Sequence, residues 1–219
     1  MKFVAEISET EHKADRQVRT WRAEGSVNHR IESGHSLVEM VLVVALTLII
    51  SAFALPTLAG VLRSYRAVGD AKGIASQLSL ARMRAASDFT RARMNFNLTA
   101  STYQLEIYNK NTSQFQVEGG SFNLSQNDSF GFGTISTPAG SQSSIGQAAA
   151  CLDNTGKTIS NSACIIFNSR GIPVDSSQVT TSNDVIYLSN GSGDYYAVSV
   201  ATNGRVGVSL YSNSVWIAK

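Results

Sequence analysis

The pattern of apolar and polar positions divides the chain into three stretches. Residues 1–34 are polar and of mixed charge, and no apolar stripe of helical period covers them. From Met40 to Leu62 the chain runs for 23 residues without a charged side chain, and a helix needs roughly 20 such residues to cross a bilayer core of ~30 Å. From about Thr90 the apolar positions alternate with period two, as in half-buried strands. The pattern therefore predicts a polar leader, an apolar helix and a β-rich domain.

The apolar helix is predicted to continue beyond Leu62, because apolar and small residues recur there at intervals of three and four. The many alanines in this stripe would let another layer of structure approach closely. Pro56 lies inside the apolar run and predicts a kink, which neighbouring helices in a membrane or a bundle can tolerate. A buried helix of a soluble protein is the alternative interpretation of the run. The predicted stripe consists of Val61, Tyr65, Val68, Ala71, Ala75, Leu78, Ala81, Ala85 and Phe89.

The alternating segments after residue 90 predict an antiparallel β domain. One hairpin is expected around a turn at Ala100–Ser101, and another around the two-residue turn Asn203–Gly204. A long mobile loop is expected at 136–149. The predicted fold class is α+β, with a long N-terminal helix, transmembrane in its first half, packed on an antiparallel β-sheet domain. The segments expected to contain strands are 91–98, 102–109, 115–117, 129–134, 163–171, 184–191, 195–212 and 214–219.

Composition and charge exclude several classes of function. The net charge of +2 is too small to imply a nucleic-acid partner, and the charged fraction of 16% is below the usual ~25%, which suits an extracytoplasmic β-rich domain. All three histidines lie at or before residue 35, so the β domain has no histidine base and no Cys/His cluster for a metal. Asp175, Asp184 and Asp194 lie near Asn and Gly and are interpreted as turn residues. We therefore expect no enzyme, no cofactor and no metal.

The two cysteines, Cys151 and Cys164, enclose a 14-residue segment. An extracytoplasmic domain permits a disulfide between them, which would stabilise the fold by about 3 kcal/mol in the chain-entropy model. Two buried free thiols are the alternative.

A glutamate at the start of the apolar run is the most informative residue of the sequence. A carboxylate near a helix centre in a bilayer costs on the order of 2.5–3.5 kcal/mol, so Glu39 needs a positive partner, and the run itself contains none. If the chain were cut between Gly34 and His35, a new α-ammonium would appear four residues before Glu39. That ammonium could pair with Glu39 of the same helix or of a neighbouring one, and the second pairing would set the register of an assembly.

Gly34, then one residue, then Ser36-Leu37-Val38-Glu39-Met40 and about 20 apolar residues resembles the class III signal of type IV pilins and pseudopilins. His35 replaces the usual phenylalanine, and Pro56 falls where members of the family carry a kinking proline. The resemblance implies that a prepilin peptidase cuts after Gly34 and N-methylates His35. It also implies that Glu39 guides subunit docking.

The resemblance further implies a division of the chain and a location. Residues 1–34 would be a cytoplasmic leader, 35–62 the transmembrane half of the helix, 63–90 its extracytoplasmic amphipathic half, and 91–219 a globular pseudopilin domain. The protein would be a single-pass protein of the bacterial inner membrane, with its N-terminus cytoplasmic and its β domain periplasmic. Its partners would be other pilins or pseudopilins through the helix.

Three later segments are similar to the GspH/FimT group of minor pseudopilins. They are the helix-to-strand junction SQLSLARMRAASDFTRARMNFNL, the strand and turn IIFNSRGIPVD, and the terminal hairpin VATNGRVGV. Some members of the group bind DNA through a Gly-Arg-x-Arg turn, of which this chain keeps Arg205 and has Gly207 in place of the second arginine. A single arginine would give weak, shallowly salt-dependent binding, so a solvated turn arginine is the favoured interpretation.

Three hypotheses follow from the sequence. The first is a minor pilin or pseudopilin of a type II secretion or type IV pilus filament, acting in assembly or at the tip. The second is a DNA-binding minor pilin for natural DNA uptake. The third is a membrane-anchored binding domain that is never processed.

Overall fold

The computed structural model of the chain describes residues 36–181 and 184–219. These residues belong to two compact units, one ending at Ser51 and the other running from Ala52 to Lys219. The helix α1 spans Leu37–Ser87, and ten strands follow it. The strands are β1 (Ala92–Asn97), β2 (Thr102–Asn109), β3 (Gln114–Asn123), β4 (Ser129–Phe130), β5 (Ser162–Phe167), β6 (Pro173–Val174), β7 (Asp184–Ser189), β8 (Tyr195–Val200), β9 (Val206–Ser212) and β10 (Val215–Ala218).

The strands form two five-stranded antiparallel sheets. The first sheet has the order β3-β2-β1-β5-β6, and the second has the order β10-β9-β8-β7-β4. In the first sheet, β5 pairs with β1 although Asn97 and its partner Ser162 are 65 positions apart in the sequence. The predicted α+β class, a long N-terminal helix on an antiparallel β domain, is confirmed.

One face of α1 packs against both sheets. Buried helix positions recur at intervals of four and three, and they contact side chains such as Phe96 of β1, Phe167 of β5 and Ile186 of β7. The predicted stripe is correct from Val68 to Ala85 but wrong at its two ends. The buried helix residues are Ala67, Ala71, Ile74, Leu78, Ala81 and Ala85, whereas Val61, Tyr65 and Phe89 are 51%, 72% and 75% exposed.

The loop predicted at 136–149 is present between β4 and β5, and part of it covers the outer face of the second sheet. Ala139 and Ala148 are buried, and the Ala139 amide donates to the Tyr187 hydroxyl at 2.9 Å. The Gln147 amide donates to the Tyr187 carbonyl, while its Oε1 accepts from the Tyr187 amide. A second hydrophobic cluster forms there from Ala139, Val185, Tyr187 and Ala197, with Phe132, Ile145 and Trp216 packed against it.

One turn and one strand differ from the sequence prediction. The β8–β9 hairpin closes over Ala201–Arg205, where the Gly204 amide donates to the Ala201 carbonyl and the Ala201 amide to the Arg205 carbonyl. The turn is therefore centred on Thr202–Asn203, with Gly204 following at φ +77°, and the two-residue prediction is wrong by one position. Strand β3 is also longer than expected, because it continues through Gly119 and Gly120.

Candidate assembly helix and charged sites of the β domain

The first turns of α1 present an apolar surface with one carboxylate. Glu39 lies in the first turn, where a negative charge is favourable to the helix dipole. The hydroxyls of Thr47 and Ser51 donate to carbonyls of the same helix at 2.8 and 2.7 Å, so polar atoms in this stretch are satisfied internally, as hydrocarbon requires. Within the described residues, α1 is the one helix long and apolar enough to cross a membrane.

Several predicted sites on this helix have different outcomes. Gly34 and His35, the predicted cleavage and methylation sites, lie outside the described residues. Pro56 lies within α1. The large apolar side chains that are exposed along the run include Leu37, Val38, Met40, Val41, Leu42, Val43, Val44, Leu46, Leu48, Ile49, Ile50, Phe53, Leu58, Val61 and Leu62.

Just after the apolar run, hydrogen bonds join α1 to two loops of the β domain. Ser64 Oγ donates to Asp194 Oδ2 at 2.6 Å, in the turn between β7 and β8. Six residues further along the helix, Asp70 accepts from the Ser125 amide at 2.6 Å and from Ser125 Oγ at 3.1 Å. These bonds fix the loop after β3 against the helix.

Asp128 makes the contact between α1 and the loop after β3 sensitive to pH. Its side chain is 7% exposed, and its Oδ2 has no hydrogen-bond partner among the described residues. Burial, then the hydrogen bond to Asp70 and the charge of Asp70, together raise the pKa of Asp128 to about 7, against a smaller lowering by the Arg66 guanidinium. Near neutral pH, therefore, Asp128 is partly protonated and can donate to the Asp70 carboxylate.

Two glycines of the resembled motifs meet at one arginine of the helix. Gly171 and Gly204 have φ of +70° and +77°, a left-handed conformation that suits glycine. A Cβ on Gly204 would lie 2.9 Å from Arg82 Nε and closer still to the Gly171 carbonyl oxygen, and a Cβ on Gly171 would lie 3.0 Å from Arg82 Cγ. Both turns therefore require glycine in order to pack on Arg82.

This packing brings three exposed arginines to one place. Arg170 precedes Gly171 and lines a shallow surface groove with Arg82, and Arg205 follows Gly204 directly. All three side chains are exposed. The sequence indicates Arg205 alone, because the proximity of the two turns depends on tertiary contacts.

A buried ion pair lies on the outer face of the first sheet. Arg93 Nε and Glu106 Oε2 are 2.5 Å apart, and both side chains are nearly inaccessible. The amides of Asn95 and Gln104 donate to Glu106 Oε1 at 2.9 and 2.8 Å, which completes the hydrogen bonding that a buried charge needs. Arg93 and Glu106 are directly opposite in the β1–β2 hairpin.

The predicted disulfide is confirmed, since Cys151 and Cys164 are bonded with their Cα atoms 4.9 Å apart. Cys164 lies in the first sheet on β5, and Cys151 belongs to the segment that covers that sheet. Arg93 Nη1 donates to the Leu152 carbonyl at 2.7 Å beside it. The bond therefore fixes the covering segment to the outer face of the sheet.

Comparison with known proteins gives a distant structural likeness. No protein-family model matches the chain, and no curated protein matches it. The chain is similar to two solved structures of the minor pseudopilin EpsH from the type 2 secretion system of Vibrio cholerae. One has a TM-score of 0.40 and 11% identity over 68% of this chain and 94% of that one. The other has a TM-score of 0.39 and 9% identity over 64% of this chain and 89% of that one. A likeness this distant assigns neither family nor function, so the function is inferred from the residues of the chain itself.

Proposed function

We propose that the chain is a minor pilin-like subunit of a type II secretion or type IV pilus filament, anchored in the inner membrane before assembly. The observation that carries the proposal is the start of α1: Glu39 in its first turn, followed by exposed apolar side chains. Such a surface requires lipid or other helices to cover it. A carboxylate at its edge is suited to pairing with the α-ammonium that a cut between Gly34 and His35 would create.

The remainder of the chain is consistent with a structural subunit. The second part of the helix is buried through alanines against the β domain, so the domain is carried on the helix by close packing. The prepilin peptidase would cut after Gly34 and methylate His35. The new terminus would then be available to Glu39 of the same subunit or of the next one.

The first test is processing by a prepilin peptidase. The full chain is expressed with and without the peptidase, and intact mass is measured. Loss of residues 1–34 plus one methyl group at His35 is expected, and Gly34→Leu should abolish the loss while leaving the chain in the membrane. A chain that keeps its leader in the presence of an active peptidase would refute the proposal and favour the unprocessed, membrane-anchored binding domain.

The second test separates processing from assembly. Glu39→Gln should still be cleaved, since the cut lies five residues away, but it should fail to crosslink to neighbouring pilins in the membrane. Thr47→Val is a matched control in the same apolar stretch, because the Thr47 hydroxyl is satisfied within the helix. Equal crosslinking of the Glu39 variant and wild type would remove Glu39 from the docking role.

The three-arginine cluster supports DNA binding as a second candidate function. Arg82, Arg170 and Arg205 could neutralise up to three phosphates, for which the slope of log K against log salt would be about −2.7. Fluorescence anisotropy of labelled duplex DNA between 50 and 200 mM salt tests this. Arg170→Ala and Arg205→Ala should each lower the slope by about one, while Lys157→Ala should not. Absence of binding at 50 mM salt would exclude this function.

A further inference from the structure

A cavity of ≈320 Å³ opens on the outer face of the first sheet. Its floor includes Cys164 and Ile166 of β5, and one wall includes Val174 of β6 and the following Asp175. The opposite side carries Tyr108 and Phe115, together with Arg91 and Arg93. A volume of this size, an apolar floor and a few polar groups are typical of ligand-binding pockets.

The cavity is held open by bonds that do not depend on a ligand. The Cys151–Cys164 disulfide fixes the segment that borders it, and Arg93 donates to the Leu152 carbonyl in the same segment. On the opposite wall, Asp175 Oδ1 accepts from the Val179 amide at 2.8 Å and closes a turn. A ligand would therefore find the pocket already formed and would not have to order it.

The positive groups of the cavity already have partners. Arg93 is paired with Glu106 at 2.5 Å, and its guanidinium carbon lies 4.0 Å from the centre of the Phe115 ring. The Arg91 guanidinium carbon lies 3.8 Å from the centre of the Tyr108 ring. The positive charge of each arginine is therefore compensated by an aromatic ring face, and that of Arg93 also by a carboxylate.

The negative groups are less well compensated. Asp184 is 8% exposed and lines the cavity together with Asp175 and Asp153. Asp153 is engaged in its own turn, where it accepts from Thr155 and Lys157. Burial, and then the charge of Asp175, raise the pKa of Asp184 to about 6. A cation placed between Asp175 and Asp184 would relieve both effects.

We propose that this cavity binds a lysine or arginine side chain of a partner polypeptide, with its alkyl stem on Ile166 and Val174 and its cationic head between Asp175 and Asp184. The alkyl stem matches the apolar floor, and the positive charge of the head group is complementary to the two carboxylates. Both the guanidinium group of arginine and the ammonium group of lysine can pair with carboxylates in this way. The site does not depend on assembly of the chain into a filament.

The test uses the full chain in nonionic detergent and two probes: agmatine, an alkylguanidinium, and a capped tripeptide with a central arginine. Binding is measured by titration calorimetry at pH 7.5, with the tripeptide expected to bind at least as tightly as agmatine. Asp184→Asn and Asp175→Asn should each weaken it about tenfold, the loss expected for one charge-assisted hydrogen bond. Asp88→Asn, an exposed acid outside the cavity, should have no effect.

Two further measurements distinguish recognition of the positive charge from simple apolar contact. Pentanol, which lacks the charge, should not compete, and lowering the pH from 7.5 to 5 should weaken binding about tenfold as Asp184 is protonated. The unfolding midpoint of each variant, followed through Trp216 fluorescence, verifies that it is folded. Competition by pentanol, or unchanged affinity in both aspartate variants, would overturn the proposal. Binding of agmatine without the tripeptide would overturn its assignment to a polypeptide.

Discussion

Replacing Asp128 by asparagine should stabilise the β domain at neutral and alkaline pH. The folded pKa of about 7 compares with 3.8 for an unperturbed aspartate. A raised pKa means that the folded state holds its proton more tightly than the unfolded state. The contribution is therefore fully present below pH 3.8 and is lost as the pH rises to about 7.

The size of the effect follows from the difference in pKa. At 1.36 kcal/mol per pKa unit, ionisation of buried Asp128 costs the fold ~4 kcal/mol above pH 7. Asparagine carries no charge at any pH and can still donate to Asp70. The gain in the free energy of unfolding should thus be small at pH 4, rise between pH 4 and 7, and level off above pH 7. The amide hydrogen bond does not fully reproduce that of a carboxyl group, so the measured plateau should be lower than the full cost of ionisation.

The assay is equilibrium unfolding in urea of the full chain in nonionic detergent, at pH 4, 6 and 8. Trp216 donates to the Thr137 carbonyl at 2.9 Å and packs on Tyr187, so its fluorescence reports on the β domain. Trp21→Phe in every variant removes the other tryptophan of the chain. A destabilised Asp128→Asn variant at pH 8, or a gain that is the same at all three pH values, would refute the reasoning.

Asp153 provides a control in which stability depends on pH in the opposite direction. Hydrogen bonds from Thr155 and the backbone of Lys157 hold the pKa of Asp153 below its usual value. Its contribution is therefore present above pH 3.8 and lost as the pH falls. Asp153→Asn should lower stability at pH 8 and have less effect at pH 4.

Three further predictions concern the bonds that hold the domain together. Replacing Cys151 and Cys164 by serine should cost about 3 kcal/mol of unfolding free energy, measured by the same denaturation. Gly204→Ala should cost about 2–3 kcal/mol, because a left-handed alanine is strained and its methyl would overlap the Gly171 carbonyl. Glu106→Gln should cost about 3–5 kcal/mol, since it leaves a buried arginine without its carboxylate.

Each of these changes has a control in the same molecule. Gly193 also has a positive φ, but a Cβ there meets no atom within 4 Å, so Gly193→Ala should cost less than the Gly204 variant. Glu118 forms an exposed pair with Arg84, and Glu118→Gln should cost less than about 1 kcal/mol. For the cysteine pair, wild-type protein under reducing conditions should match the double serine variant. Equal losses in Glu106→Gln and Glu118→Gln would contradict the assignment of a buried ion pair.

The architecture could be predicted because it depends on local patterns. The uncharged run before Arg63 predicts α1, and alternation predicts nearly every strand. The division into two sheets could not be predicted, since it depends on β5 pairing with the distant β1. The register of the β1–β2 hairpin could not be predicted from the alternation of apolar and polar residues either. Asn97 Oδ1 accepts from the Thr99 and Ala100 amides, and the longer loop that results places Arg93 opposite Glu106.

The candidate sites were predictable only in part, for a similar reason. Glu39 is conspicuous because its cost in an apolar run is local and large. Asp128 and Asp184 resemble ordinary turn aspartates in the sequence, and their burial arises from elements far along the chain. The convergence of Gly171 and Gly204 on Arg82 likewise requires two separate turns to meet on the helix. Sequence spacing predicts neither the burial of these aspartates nor this convergence, because it carries no information on tertiary contacts.

The pairing of β1 with β5 determines the order in which the domain can be completed during synthesis. The β1–β2 hairpin can close as soon as residue 109 has emerged, but the other edge of β1 stays open until Ser162–Phe167 arrives. An open apolar edge attracts foreign strands, and closing so long a loop is slow. Oxidation of Cys151 with Cys164 then fastens the late-arriving strand and does not guide it. A holding chaperone that covers β1 during this interval would raise the yield of folded protein more than a faster thiol oxidase would.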